Sequence, residues 1–316
     1  MSTQSNAVSG APFDSPNVPA SPVQRETNSF CWSVRRELWE NRSIYVAPLV
    51  AAAVGMLAFL ISLIYLPHSM QTSEKLDPAR QSAMLAQPFA HVAMLVTFTA
   101  FLVGLFYSLD ALHGERRDRS ILFWKSLPVS DRTTVFSKIV IPLVVLPVVV
   151  FFLAVISQVT ILLISIFALS ITGTGAATMW SRIPIFGMVL VLLYGLIVMA
   201  LWYAPIYAWF LLVSGWARRA TFLWAVIPWV AIAGFEFVAF RTTAFGSLLK
   251  DRLFGFAAIA FNLQMPNGET VDPHLIPLSQ LTPARFLTSP GLWLGLLFAA
   301  ACIATAIRLR RFREPI

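Results

Sequence analysis

Long apolar runs separated by short basic stretches dominate this chain. Six of the runs match the length of a bilayer-crossing helix, about 20 apolar residues. They cover residues 44–66, 89–109, 139–171, 185–213, 221–240 and 290–307. The third run exceeds what a perpendicular helix needs, which predicts a tilted or projecting element. Pro142 and Pro147 predict a kink near its start. Ahead of the first run, Phe30, Val34 and Leu38 recur at four-residue spacing, with Trp32, Trp39, Arg35, Arg36 and Arg42 around them. This pattern predicts an amphipathic helix lying in the membrane surface. Between the fifth and sixth runs, Phe245, Leu249, Leu253, Phe256 and Ala260 share one helical face. They predict a helix on or dipping into the outer leaflet, followed by an irregular, proline-rich loop from Met265 to Pro290.

Composition agrees with spanning helices. Of the 316 residues, 58% are hydrophobic and 12% charged, against about 25% charged in a soluble domain. The expected fold class is an all-α integral membrane protein with six transmembrane helices and an N-terminal interfacial helix. Residues 1–28 are rich in Ser, Pro, Asn and Ala and hold no apolar run. They predict a disordered tail and not a secretory signal. Residues 29–316 form the single transmembrane domain.

The net charge of +8 would point to nucleic acid in a soluble protein. Here the basic residues sit between apolar runs and set orientation instead, so no nucleic-acid partner is expected. With the N-terminus inside, 16 of the 23 Lys and Arg residues fall on the inner side. The bias predicts a multi-pass protein of the cytoplasmic (inner) membrane with both termini cytoplasmic and 241–289 outside. Trp202, Tyr203, Tyr207, Trp209, Trp216 and Trp224 surround the Arg218-Arg219 turn and predict an aromatic belt at the inner headgroup layer.

Catalytic and cofactor motifs are sparse. No GxxxxGK[ST] phosphate loop occurs, and Gly173-Thr174-Gly175 lacks the lysine. His68, His91, His113 and His274 have no second ligand three or four residues away, so no zinc site is expected. Cys31 and Cys302 form no CxxC pair. No enzyme activity and no bound cofactor are expected of this chain. Glu236 is the clear ionisable group within a run, and Arg241 is its expected partner in an intramembrane polar pair. The Gly291/Gly295 GxxxG spacing permits close helix approach and predicts packing within the chain.

The segment Asp110–Lys138 carries the strongest functional signal. Ile121, Leu122, Phe123 and Trp124 lie stranded between charges in a basic loop and should bury against a partner, the membrane or the rest of the chain. Pro128 predicts a break, and Ser130 or Asp131 can cap the helix that follows. This loop resembles that of the ABC-2 type transporter permeases. Glu115, Arg119-Ser120, the run Leu127-Pro128-Val129-Ser130 and Lys138 match the pattern of their first cytoplasmic loop, although its second acidic residue is missing. The stretch from Arg35 to Arg42 looks like the basic elbow before their first span.

The resemblance implies a permease subunit of an ATP-driven exporter, with a coupling helix between spans two and three. That loop would dock on a cytoplasmic ABC ATPase through Glu115, Arg119, Ser120, Ile121, Leu122, Trp124, Leu127, Pro128, Val129 and Ser130. Two ATPase copies would carry ATP and Mg2+, and a second permease copy or a relative would complete the assembly. Competing classes are an ion-coupled secondary transporter, which needs mid-membrane ionisable groups that the runs largely lack, and a non-transporting scaffold.

Overall fold

The computed structural model describes residues 29–65, 78–118, 130–172, 185–261 and 278–312. The described residues are mainly helical, joined by short turns, with one isolated bridge between Phe261 and Leu281. Chain order is α1 (Ser29–Glu40), α2 (Ser43–Ser62), α3 (Pro78–Asp110), α4 (His113–Arg117), α5 (Asp131–Val140) and α6 (Leu146–Thr172). Then follow α7 (Ile185–Trp216), α8 (Thr221–Phe240), α9 (Ala244–Phe254), α10 (Phe256–Ala260), α11 (Pro283–Thr288) and α12 (Pro290–Phe312). Among the described residues six helices are long and apolar enough to cross a membrane, and they coincide with the six predicted runs.

The helices outrun the apolar patterns. The second run lies inside a helix that starts at Pro78, and the sixth continues past Ile307 to Phe312. Hydropathy marks where a helix is apolar. The backbone bonds that continue it leave no such mark. The helix of the third run begins eight residues earlier than its apolar stretch, at Asp131, as α5. Ser130 caps that helix: its hydroxyl accepts from the Thr133 N–H at 3.1 Å. Between α5 and α6 the chain forms a π turn, Ile141–Val145, at the position of the expected kink. Pro142 and Pro147 each lack an N–H and crowd a carbonyl one turn back, and the wider turn absorbs both.

The central helix is α7, which packs against α3 and α12. This overturns most of the expected aromatic belt. Trp202, Tyr203 and Tyr207 are buried in the core, and only Trp216 and Trp224 stand exposed near the Arg218-Arg219 turn, with ring centroids 4.9 Å apart. A helix surrounded on most sides buries its rings wherever they fall along it. The helix α8 is peripheral, with only 6% of its apolar window buried inside the chain.

The expected amphipathic helix after α8 exists but breaks at Gly255 into α9 and α10. Its polar backbone is anchored on α7. Trp202 Nε1 donates to the Arg252 carbonyl at 2.7 Å, Tyr203 to the Leu253 carbonyl at 2.7 Å and Tyr194 to the Ala260 carbonyl at 3.1 Å. Part of the predicted irregular loop is helical, as a 3-10 turn at Leu278–Gln280 and α11. The GxxxG spacing serves these elements. A Cβ on Gly295 would lie 2.3 Å from Arg252 Nη2, and the Gly291 carbonyl accepts from Arg252 Nη1 at 3.1 Å. The Arg252 guanidinium also stacks 4.4 Å from the Trp202 ring centroid. The small residues therefore make room for an arginine as well as for a helix.

Candidate functional site

Charged residues from four helices converge at the end of the bundle that carries α1 and α4. From α1 come Arg36 and Glu37, from α4 Glu115, from α5 Asp131 and Lys138, and from α12 Arg310. Lys138 Nζ lies 2.8 Å from Glu37 Oε1 and 3.0 Å from Glu115 Oε1. Arg36 Nη2 reaches the same two carboxylates at 2.7 and 3.3 Å. Arg310 pairs with the other Glu115 oxygen and with Asp131 Oδ1, the latter at 3.1 Å. The Tyr107 hydroxyl of α3 donates to Glu37 Oε2 at 2.8 Å. Three cations thus face three anions.

The side chains of Glu37, Lys138, Arg310 and Glu115 are 1%, 3%, 4% and 8% exposed. At such burial an unpaired charge is untenable, so these groups hold one another in place. Burial alone would raise the Glu37 carboxyl above its ordinary range. Lys138 and Arg36 outweigh it and hold it down at about 2. Arg36 is likewise less acidic than a free guanidinium, because its bond to Glu37 overcomes the cost of burial.

A second set of bonds ties α4 to the end of α7. The Leu112 and His113 N–H groups both donate to Ser214 Oγ at 2.8 Å. Arg116 Nη1 donates to the Gly215 carbonyl at 2.8 Å and the Ala217 carbonyl at 3.2 Å. A guanidinium suits the unpaired carbonyls at a helix C-terminus. Both stems of the 119–129 segment, α4 before it and α5 after it, are therefore fixed to the spanning helices.

Of the predicted docking residues, Glu115 lies in the charge cluster and Ser130 caps α5. Arg119, Ser120, Ile121, Leu122, Trp124, Leu127, Pro128 and Val129 lie outside the described residues.

Glu236 and Arg241 do not form the expected pair: among the described residues no ion pair joins them. Arg241 takes a left-handed conformation (φ 55°) that turns the chain after α8. The turn brings the start of α9 onto the carboxylate instead. Glu236 accepts from the Thr242 hydroxyl at 2.8 Å and from the Ala244 and Phe245 N–H groups at 2.9 and 2.8 Å. A carboxylate is a good acceptor at a helix start. Glu236→Gln keeps one acceptor oxygen and should leave the purified chain folded with a loss of about 0.5–1.5 kcal/mol. Thermal unfolding of the purified chain measures this, and a loss well above that range would show that the acid does more than cap α9.

Sequence reasoning missed Glu37 and Arg310 as site residues, and both carried a signal. Glu37 falls on the α1 stripe at seven residues from Phe30. Arg310 continues the buried stripe Leu292, Ala299, Cys302 and Ala306 of α12. A charge on an apolar stripe calls for a buried partner.

The described residues define a helical fold in which six helices are able, by length and apolarity, to cross a membrane. No family model matches the chain, and no curated protein or solved structure matches it. Among the described residues no His, Cys, Asp and Glu grouping could hold a metal ion.

Proposed function

We propose that this chain is the membrane-spanning permease subunit of an ATP-binding cassette exporter, driven by ATP hydrolysed on a separate ATPase subunit. One observation supports it above the others. The two stems of the 119–129 segment are clamped by Glu115 and Lys138 into one buried charge cluster that also holds α1 and α12. A loop with fixed stems passes a displacement on to the spanning helices, where a free loop would absorb it. A partner shifts a conformational equilibrium only through contacts that differ between the states. Stranded apolar side chains on such a loop, Ile121, Leu122 and Trp124, suit that role.

In this reading both termini are cytoplasmic, and α1 lies in the inner membrane surface. Its Trp32 and Trp39 are 57% and 58% exposed, with the Arg35 guanidinium 4.6 Å from the Trp39 ring centroid. Amphipathic rings and snorkelling arginines suit the headgroup layer. Two copies of the chain, or one copy and a relative, pair with two ATPases that carry ATP and Mg2+.

The test is affinity purification of the tagged chain from membranes of its own host. An ATPase bearing a Walker motif should be recovered in about stoichiometric amount, and purification free of any ATPase would reject the assignment. Orientation has its own check. A cysteine at Asn267 should be labelled by an impermeant reagent in intact cells and one at Ser120 protected; the reverse pattern would invert the topology.

A further inference from the structure

The end of α12 away from the charge cluster carries an arginine with no acid beside it. Arg252 of α9 lies between α7 and the first turn of α12. Its guanidinium stacks on the Trp202 ring, and Nη1 donates to the Gly291 carbonyl at 3.1 Å. Nη2 is sealed against Gly295, where a Cβ would collide with it, and has no hydrogen-bond partner among the described residues. Nε also donates to no described residue, but it is not among the sealed atoms. A ring and one carbonyl therefore hold this cation in place without neutralising it.

The acids nearest in sequence are spent or turned away. Glu236 is taken up by the start of α9, and Asp251 is exposed. Among the described residues no ion pair includes Arg252. The contrast with the charge cluster is direct. At Arg36 the cost of burial is outweighed by Glu37, and the pKa rises. At Arg252 burial has no carboxylate against it, and the pKa falls. A cation half withdrawn from water and left uncompensated calls for an anion.

Depth indicates which anion. Gly291 and Arg310 sit at opposite ends of α12, about 29 Å apart along its axis at 1.5 Å per residue. That separation is close to the hydrocarbon thickness of a bilayer, about 30 Å. In a bilayer that α12 crosses, the charge cluster stands at one headgroup layer and Arg252 at the other. Around Arg252 the exposed side chains are Leu248 and Phe254 of α9 and Trp293 and Leu294 of α12, a surface suited to lipid. Phosphate oxygens are plentiful at that depth, and a guanidinium donates to them through short, charge-assisted bonds. We propose that Arg252 is a phosphate-binding residue, whose Nε donates to a phosphate oxyanion supplied by a lipid headgroup or by free phosphate at that surface.

The experiment uses the purified full chain in a maltoside detergent, which has no phosphate, and without any ATPase. Native mass spectrometry counts bound molecules as phosphatidylglycerol is added. Diacylglycerol with the same acyl chains is the phosphate-free control. The wild type should retain one phosphatidylglycerol in clear preference to diacylglycerol. Arg252→Gln should weaken that binding roughly tenfold or more, the loss of one charge-assisted hydrogen bond. Arg285→Gln, which removes an exposed cation of α11 at the same end, should leave it unchanged. Added inorganic phosphate separates the two sources. Displacement of the lipid assigns the site to the free oxyanion, and retention assigns it to the headgroup on its lipid. Diacylglycerol held as well as phosphatidylglycerol, or equal affinity in Arg252→Gln and wild type, would mean that Arg252 only braces α9 against α7 and α12, and would overturn the proposal. If Arg252→Gln does not yield a monodisperse protein, Arg252→Met, which keeps an apolar stem over Trp202, takes its place under the same criterion. The proposal needs helices that cross a membrane and not the permease assignment. Its failure leaves that assignment standing, and failed ATPase recovery leaves the phosphate site standing.

Discussion

Lys138→Met is expected to destabilise the purified chain by about 3–5 kcal/mol, the usual cost of removing one partner from a buried ion pair. The lysine is 3% exposed and lies within 3.0 Å of both Glu37 and Glu115. Without it, Glu37 is left with Arg36, which also reaches Glu115 beside Arg310, and the two buried carboxylates repel each other. A double replacement, Glu37→Gln with Lys138→Met, removes one charge of each sign and should lose less than the single change. Denaturant or thermal unfolding in detergent measures both. A single-variant loss below about 1 kcal/mol would show that the cluster is solvated and not clamped.

Acid gives the same cluster a second readout. The folded Glu37 carboxyl is depressed to about 2 from an ordinary value of 4.5. Its contribution to stability is therefore complete above pH 4.5 and is lost as pH falls through about 2. The wild-type midpoint should contain no Glu37 contribution to any change between pH 7 and 5. In Lys138→Met the carboxyl loses its chief opposing cation and moves up, so acid sensitivity should begin at higher pH.

The second large effect is expected at the ATPase contact proposed above. Leu122→Asp combined with Trp124→Asp should weaken ATPase association by about two to four orders of magnitude. Each buried large apolar side chain contributes about 1.5–3 kcal/mol, and every 1.4 kcal/mol is tenfold. The chain should still insert, because neither residue lies in one of the six apolar runs. Contact with the inner leaflet would demand apolarity but no particular shape, whereas a protein groove demands both. Leu122→Met keeps apolarity and approximate volume and should be mild in either case. Co-purification with the ATPase is the measurement, with membrane insertion checked alongside. Normal partner recovery in the double variant would sink the docking assignment, even with transport reduced.

The six helices long and apolar enough to cross a membrane were legible because each is a local property, a run of about 20 apolar residues. The Ser130 cap was legible for the same reason. The charge cluster was not, because its bonds join residues 79, 101 and 195 positions apart: Arg36 to Glu115, Lys138 to Glu37, and Arg310 to Glu115. In the sequence Arg310 counts only as an inner-side cation that sets orientation, and Arg36 only as part of the basic pattern around the first helix. The aromatic belt failed because linear nearness to Arg218 and Arg219 does not reveal that α7 is central. Glu236 failed through backbone geometry: the left-handed Arg241 that ends α8 has no marker in its residue type, since arginine rarely adopts that conformation.

The π turn at Ile141–Val145 also sets the angular phase between the two halves of the third spanning element. Each residue of an α-helix advances the side chains by about 100°. One residue more in a single turn therefore offsets everything before it by that angle. The buried face of α6, with Leu146, Val150 and Ala154, and the α5 face that presents Lys138 are aligned across this offset. Deleting Val144 would restore a continuous α-helical register and swing Lys138 by roughly a quarter turn, away from Glu37 and Glu115. The loop's anchorage is thus written partly as a count of residues, so that a one-residue deletion here should uncouple the bundle from the 119–129 segment without removing a single charge.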